Sequence, residues 1–258
     1  MTVRFRWRKP CLPGFALIPP FSILPLSIRP LSILLLSILP LSVVAAESRD
    51  QDPLEGFNRA MFRFNDTADR WALKPVARGY RAITPDPVER AVARIFGNLG
   101  EVVNIVNDVL QGKVGQAGND SGRFIINSTV GLVGIFDVAE HWGLPKSDGE
   151  DFGQTFATWG VGQGPYLVLP FLGPSTFRDA PGKALDSFLN PIAYVEHIPT
   201  RNQLHGTNIV SDRAVLLEAE KLVKGDKYSF IRDVYLQRRD YLINDGQVED
   251  DFGGEDYE

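Results

Sequence analysis

Val88, Val92, Ile95, Leu99, Val102, Val106 and Val109 recur at three-to-four spacing, a periodicity that an amphipathic helix satisfies and a strand does not. Asp86-Pro87-Val88-Glu89 sets its start, with a capping acid, a proline at the first position and a glutamate three residues on. The spacing therefore predicts a helix from 86 to about 111, in which Gly97 and Gly100 mark close packing or a local bend. Asp52-Pro53-Leu54-Glu55 repeats the same start signal. It opens a helix expected to end near residue 71, before Lys74-Pro75, because a residue preceding proline avoids helical geometry. Within "DPLEGFNRAMFRFND" this helix sets Leu54, Phe57, Met61 and Phe64 on one side and carries Asn58, Arg59 and Arg63.

A third helical segment is expected from 113 to about 140. Its second half, from Phe124 to Phe136, is apolar nearly all round. Such a helix lies either in a core or in lipid, and core burial is the plainer of the two. Gly131 and Gly134 make it too broken to span a bilayer. From Gly149 to Gly182 glycine and proline replace periodicity, in "GEDFGQTFATWGVGQGPYLVLPFLGPSTFRDAPG". Glycines 153, 160, 162, 164 and 173 free the backbone, while Pro165, Pro170 and Pro174 fix turns around the apolar run Tyr166–Leu169. Loops of this length are usually functional or disordered, and this apolar composition is not that of disorder. Helices follow over 180–189, from a cap at Asn208 to 224 with Glu220 and Lys224 paired, and from a cap at Asp226 with Tyr228, Ile231, Tyr235 and Leu242 on one face. From Gly246 the chain is acidic and glycine-rich, which predicts a disordered tail over 246–258.

The N-terminus sets the compartment. Residues 1–46 hold Arg4, Arg6, Arg8, Lys9 and Arg29 and no acid. An almost wholly apolar run over 31–45 and the small residues Val44-Ala45-Ala46 complete the pattern of a secretory signal peptide. The body is then expected over 47–245. Five of 27 basic residues leave with the leader, so 22 face 32 acidic ones, a net charge of −10. That argues against a nucleic-acid partner. The sole cysteine, Cys11, lies in the leader, and His141, His197 and His205 are too scattered for zinc.

No catalytic constellation emerges. Gly160-Val161-Gly162-Gln163-Gly164 is followed at once by Pro165, without the strand, helix or lysine of a phosphate loop. Gly173-Pro174-Ser175 lacks the glycine spacing of a nucleophile elbow. His141 has no evident partner for base catalysis, and Glu150-Asp151 sits in no calcium-loop pattern. What stands out instead is the number of aromatics near glycines and charges, among them Phe57, Phe64, Trp71, Phe136, Trp142, Trp159, Tyr166 and Phe171. Trp and Tyr favour the membrane–water boundary, where one end of the ring is greasy and the other wet.

Taken together, "DPLEGFNRAMFRFND", "GRFIINSTVGLVGIFDVA", "EDFGQTFATWGVGQGPYLVLPFLGPSTFRD" and "YLQRRDYLI" resemble the MlaA (VacJ) family of outer-membrane phospholipid-transport lipoproteins, in order, over residues 52–244. The resemblance implies a mainly α, multi-helix, ring-like body embedded in the periplasmic leaflet of the outer membrane, with a Gly/Pro-rich hairpin loop. It implies an amphipathic channel that takes mislocalised phospholipid from the outer leaflet and passes it to a soluble periplasmic carrier. Trimeric porins are the implied membrane partners, no cofactor is implied, and the energy comes from an inner-membrane ATP-driven complex. Members commonly carry a cysteine directly after the leader's apolar run. Here Cys11 follows Arg8-Lys9-Pro10 and no cysteine lies near Ala46, so the expected hold on the membrane is apolar surface and porin.

On this resemblance Phe57, Asn58, Met61, Phe64, Trp159 and Tyr166 are the expected membrane or lipid contacts. Arg59 and Arg63, one turn apart, are expected at headgroup level, where they can snorkel to water or phosphate, or else on a plain solvated face. The glycine-rich segment is expected to form a flap, with Gly160, Gly162, Gly164 and Gly173 as hinges and Tyr166–Leu169 at the channel wall.

Overall fold

The computed structural model describes residues 52–247. The expected signal peptide and all but the first two residues of the expected tail lie outside them. The described residues are mainly helical, with one two-stranded sheet.

The opening helix does not stop before Pro75. Helix α1 (Glu55–Ala68) runs through a π-helical turn (Asp69–Leu73) directly into α2 (Lys74–Ile83). Leu73 and Lys74 keep right-handed helical geometry across the junction. Proline interrupts an α-helix by lacking an N–H and clashing with the carbonyl four residues back. The wider π turn just ahead of Pro75 relieves that conflict, so the chain continues as one rod to Ile83. Asp52 also departs from a simple cap. It accepts from Leu54 N at 2.9 Å, but its carboxylate also accepts from Asn58 Nδ2 at 3.0 Å and from the Tyr228 hydroxyl.

Helix α3 (Asp86–Gln111) has the expected bounds and ends at Gly112, whose φ of 79° is the left-handed geometry that closes a helix. This turn folds α4 (Val114–Thr129) back against α3. The expected helix to 140 is broken. A side chain at Gly131 would put its Cβ 2.3 Å from the Phe136 carbonyl, and Leu132 and Val133 both have positive φ. The chain turns there and resumes only for the short α5 (Val138–His141).

A short helix that periodicity did not reveal, α6 (Phe152–Thr158), is capped by the Asp151 side chain, which accepts from Gln154 N at 2.9 Å. Strands β1 (Tyr166–Leu169) and β2 (Gly173–Thr176) form an antiparallel hairpin, pairing Tyr166 with Thr176 and Leu169 with Gly173. Then come α7 (Asp179–Leu189), a 3₁₀ turn (Pro191–Tyr194) and α8 (Ile198–Ala219). Helix α8 begins ten residues before Asn208, with His197 as its capping residue. Asn208 is thus interior to a helix. A second 3₁₀ turn (Glu220–Leu222) leads to α9 (Lys227–Ile243), which Asp226 caps as expected. Glu220 binds Lys74, Arg213 and Lys227 rather than Lys224.

The distribution of polarity is inverted. Among the described residues seventeen polar or charged side chains are buried against eight hydrophobic ones, and four of those eight are alanines. In α3 the buried positions are Asn98, Glu101, Asn107 and Asp108, while Val88 and Val109 of the aliphatic stripe are exposed. Ile125, Val130, Leu132, Val133 and Phe136 are all more than half exposed, which overturns core burial of that segment. A water-soluble domain buries the opposite set, because leaving apolar area in water costs about 25 cal/mol per Å².

Candidate functional site

The hairpin is held to α1 by two asparagines. Asn58 donates through Nδ2 to the Tyr166 carbonyl at 2.9 Å and accepts from Val168 N at 2.9 Å. Asn65 repeats the contact, donating to the Leu169 carbonyl at 2.9 Å and accepting from Phe171 N at 2.8 Å. A side-chain amide carries a donor and an acceptor side by side, so it imitates the pairing a neighbouring strand would offer. Seven helical residues advance about 10.5 Å, and three residues of strand advance about 10 Å. The two amides therefore meet the free edge of β1 in register.

This arrangement corrects two expectations. Asn58 is fully buried and Tyr166 is 5% exposed, so neither forms part of the outer, lipid-facing surface. Both belong to the joint between α1, the hairpin and α9, where Tyr166, Val168 and Tyr228 form an apolar cluster with Met61, Phe62, Tyr235 and Leu236 packed on it. Tyr166 meets the Tyr228 ring edge-on at 6.2 Å. Phe57 and Phe64 remain about half exposed, and Phe64 stacks edge-on with Phe171 at 5.0 Å. Trp159 is exposed and donates through Nε1 to the Leu110 carbonyl at 3.1 Å.

The two arginines differ. Arg59 pairs with Glu55 at 2.7 Å and Asp226 at 2.8 Å and lies 4.4 Å over the Tyr228 ring, so it joins α1 to the start of α9. Arg63 is exposed and its guanidinium has no partner among the described residues. Of the four glycines, Gly160, Gly164 and Gly173 have φ of 84°, 65° and 74°, which side-chain-bearing residues rarely adopt. Gly162 has open space around it and no such φ.

A cavity of about 340 Å³, lined mainly by polar and charged residues, lies between the 148–151 loop, α6, α7 and α9. Asp179, which sequence reasoning did not single out, is central to its wall. Its carboxylate accepts from Arg178 Nε at 2.9 Å, from the Tyr235 hydroxyl at 2.8 Å and from Arg239 Nη2 at 3.2 Å. Burial pushes the Asp179 carboxyl up, but the Arg239 and Arg178 guanidiniums beside it prevail and hold it below the usual range. Arg239 also donates from Nη2 to Asp151 at 3.0 Å, joining α9 to the cap of α6. Lys183, 5.7 Å from the Tyr235 ring, is lowered by burial, and burial pushes the Asp186 carboxyl up to about 6.

Close approach of backbone makes this cavity possible. A Cβ on Gly182 would fall 2.7 Å from Gly153 N, and one on Gly153 would fall 2.6 Å from both Arg239 Nη2 and Asp179 Oδ1. The sequence signal for these residues is the pair of Asp-Gly clusters in "EDFG" and "RDAPG", matched by the arginine of "YLQRRDY". Among the described residues no group of three or more His, Cys, Asp or Glu side chains is placed to hold a metal.

Buried charge linked by short hydrogen bonds, an apolar exterior and a pinned hairpin define a class: a helical body built to meet lipid on its outside and polar groups within. No helix among the described residues is long and apolar enough to cross a membrane. The chain belongs to the MlaA lipoprotein family, whose pattern matches residues 50–242. It is 35% identical over 204 residues, 76% of this chain and 80% of the relative, to the intermembrane phospholipid transport system lipoprotein MlaA of Escherichia coli K12. The protein of that name from Haemophilus influenzae Rd is 32% identical over 206 residues, 78% of this chain and 82% of the relative. An uncharacterized Rickettsia bellii protein is 38% identical over 196 residues, 74% of this chain and 76% of the relative. A solved structure from work on the structural basis for maintenance of bacterial outer membrane lipid asymmetry superposes with a TM-score of 0.64 at 33% identity, covering 75% of this chain and 100% of that one.

Proposed function

We propose that this chain is the outer-membrane component of intermembrane phospholipid transport. It removes mislocalised phospholipid from the outer leaflet through an amphipathic channel and passes it to a soluble periplasmic carrier, so maintaining lipid asymmetry. The body lies as a ring in the periplasmic leaflet, beside a trimeric porin. The observation that carries this reading is the inverted polarity. Exposed apolar side chains such as Trp71, Ile83, Leu132 and Phe171 can satisfy themselves in acyl chains. The buried Asp179–Arg239 pair and the partly buried Arg123–Asp137 pair line space compatible with a headgroup. The family membership and the names of the relatives support the same function.

The flap belongs to this proposal. The hairpin, anchored by Asn58 and Asn65, would swing on the 160–164 segment and on Gly173 to admit lipid. The test is transfer by the full chain, extracted in mild detergent, of labelled phospholipid between vesicles and a soluble carrier. Transfer together with phospholipid co-purifying at extraction supports the proposal. A protein that binds porin but neither holds nor moves lipid would be a scaffold, and this reading would fall.

A further inference from the structure

Helix α2, the end of α8 and the 3₁₀ turn at 220–222 border an open cleft of about 510 Å³ that shares no lining residue with the cavity at Asp179. Lys74, Arg78 and Arg81 project from one side of α2 at helical spacing, and Lys221 faces them. Two carboxylates interleave with these four cations. Glu220 binds Lys74 at 2.8 Å, and Glu218 binds Arg81 at 3.2 Å and Lys221 at 2.5 Å. Glu220 is further drawn off by Arg213 at 2.7 Å. Arg78, between Lys74 and Arg81, is exposed and has no hydrogen-bond or ion-pair partner among the described residues. The cleft thus carries a net excess of positive charge, although acids outnumber bases in the chain as a whole.

Its borders are apolar. Trp71, just ahead of α2, is 83% exposed, Leu222 beside Lys221 is 72% exposed, and Leu217 lines the cleft itself. A free guanidinium fork suits the two oxygens of a phosphodiester, and greasy side chains on either side suit the acyl chains behind it. An excess of cations disfavours the ammonium of a zwitterionic headgroup. We infer that this cleft is a binding site for the headgroup of an anionic phospholipid, with Arg78 as its free ligand. The inference rests on the proposal that the body lies in a lipid leaflet.

The experiment titrates phosphatidylglycerol and, separately, phosphatidylcholine into the detergent-solubilised full chain and counts bound lipid by native mass spectrometry. Wild type should prefer phosphatidylglycerol, and Arg78→Gln should cut that preference about fivefold, the share of one basic group at a membrane surface. Arg90→Gln, an exposed arginine on α3, should leave it unchanged, and thermal melts of both variants should match wild type. Equal binding of the two lipids, or a preference indifferent to Arg78→Gln, overturns the inference while leaving transport intact. Displacement of phosphatidylglycerol by low millimolar inorganic phosphate overturns the lipid assignment in favour of a free-anion site. If Arg78→Gln spares lipid preference but weakens porin co-purification, the cleft is a protein interface and the inference is wrong. Binding of neither lipid overturns the transport reading and this inference with it.

Discussion

Asn58 and Asn65 show how much one side chain can carry when it stands in for a strand. Asn58→Ala would leave the Tyr166 carbonyl and the Val168 N–H without partners in a buried joint, at about 1–3 kcal/mol. Lower melting temperature and faster proteolysis within 160–176 are expected, with a smaller effect for Asn65→Ala in its more open position. Asp108 makes a second prediction. Burial first, then the nearby Asp120 and Glu150 carboxylates, push its carboxyl up to about 7 against the opposing pull of Lys113. The folded state then keeps a proton that the unfolded chain releases near pH 4, so stability falls as pH rises from about 4 to 7 and levels off above. Asp108→Asn removes that loss. The melting temperature of the variant relative to wild type should rise between pH 5 and pH 8, and an unchanged difference would sink the assignment.

At the scale of elements, local grammar located most boundaries. Pro85 and Pro87 mark the start of α3, where Asp86 is the first helical residue and makes no capping hydrogen bond; the Asp226 side chain caps α9, and Gly112 sets the end of α3. It failed where backbone geometry that residue spacing does not report intervened: at Pro75, accommodated by a π turn, and at Gly131, where the Phe136 carbonyl leaves no room for a Cβ. The meeting of α6 and α7 is the same kind of event. Gly182→Ala should wedge the two helices apart and cost about 1–3 kcal/mol, read as a lower melting temperature. The flap offers a different outcome. Gly162 has room for a side chain, so Gly162→Ala should fold normally and gain about 0.4–1 kcal/mol by restricting the unfolded chain. If the segment works as a hinge, that variant should transfer lipid more slowly at unchanged porin binding. Wild-type transfer would show that mobility there is not used.

For the whole molecule the decisive property is which side faces out. Leu132 and Phe136 are each more than half exposed, so Leu132→Glu with Phe136→Glu should cost each within about 0.5 kcal/mol of fold stability in water. The doubly substituted protein should nevertheless move from the detergent phase toward the aqueous phase in a cloud-point separation. Retention in the detergent phase would assign membrane contact to other surfaces, such as those around Trp71 and Phe171.

Helical class, the position of the hairpin segment and family membership were all legible in the sequence, because they depend on short-range spacing and long motifs. So was the apolar content of the 124–136 segment. Its destination was not, because a 3.6-residue period reports that a helix has two faces and is silent about which one turns inward. In α3 that choice was made by Asn98, Glu101, Asn107 and Asp108 entering the polar interior. Asn58 is the sharpest case: adjacent to exposed Phe57, it is buried because a strand edge 108 residues further along the chain needs its amide. Spacing is a local quantity that a sequence states outright, whereas satisfaction of a buried hydrogen bond depends on partners that only the folded chain brings together.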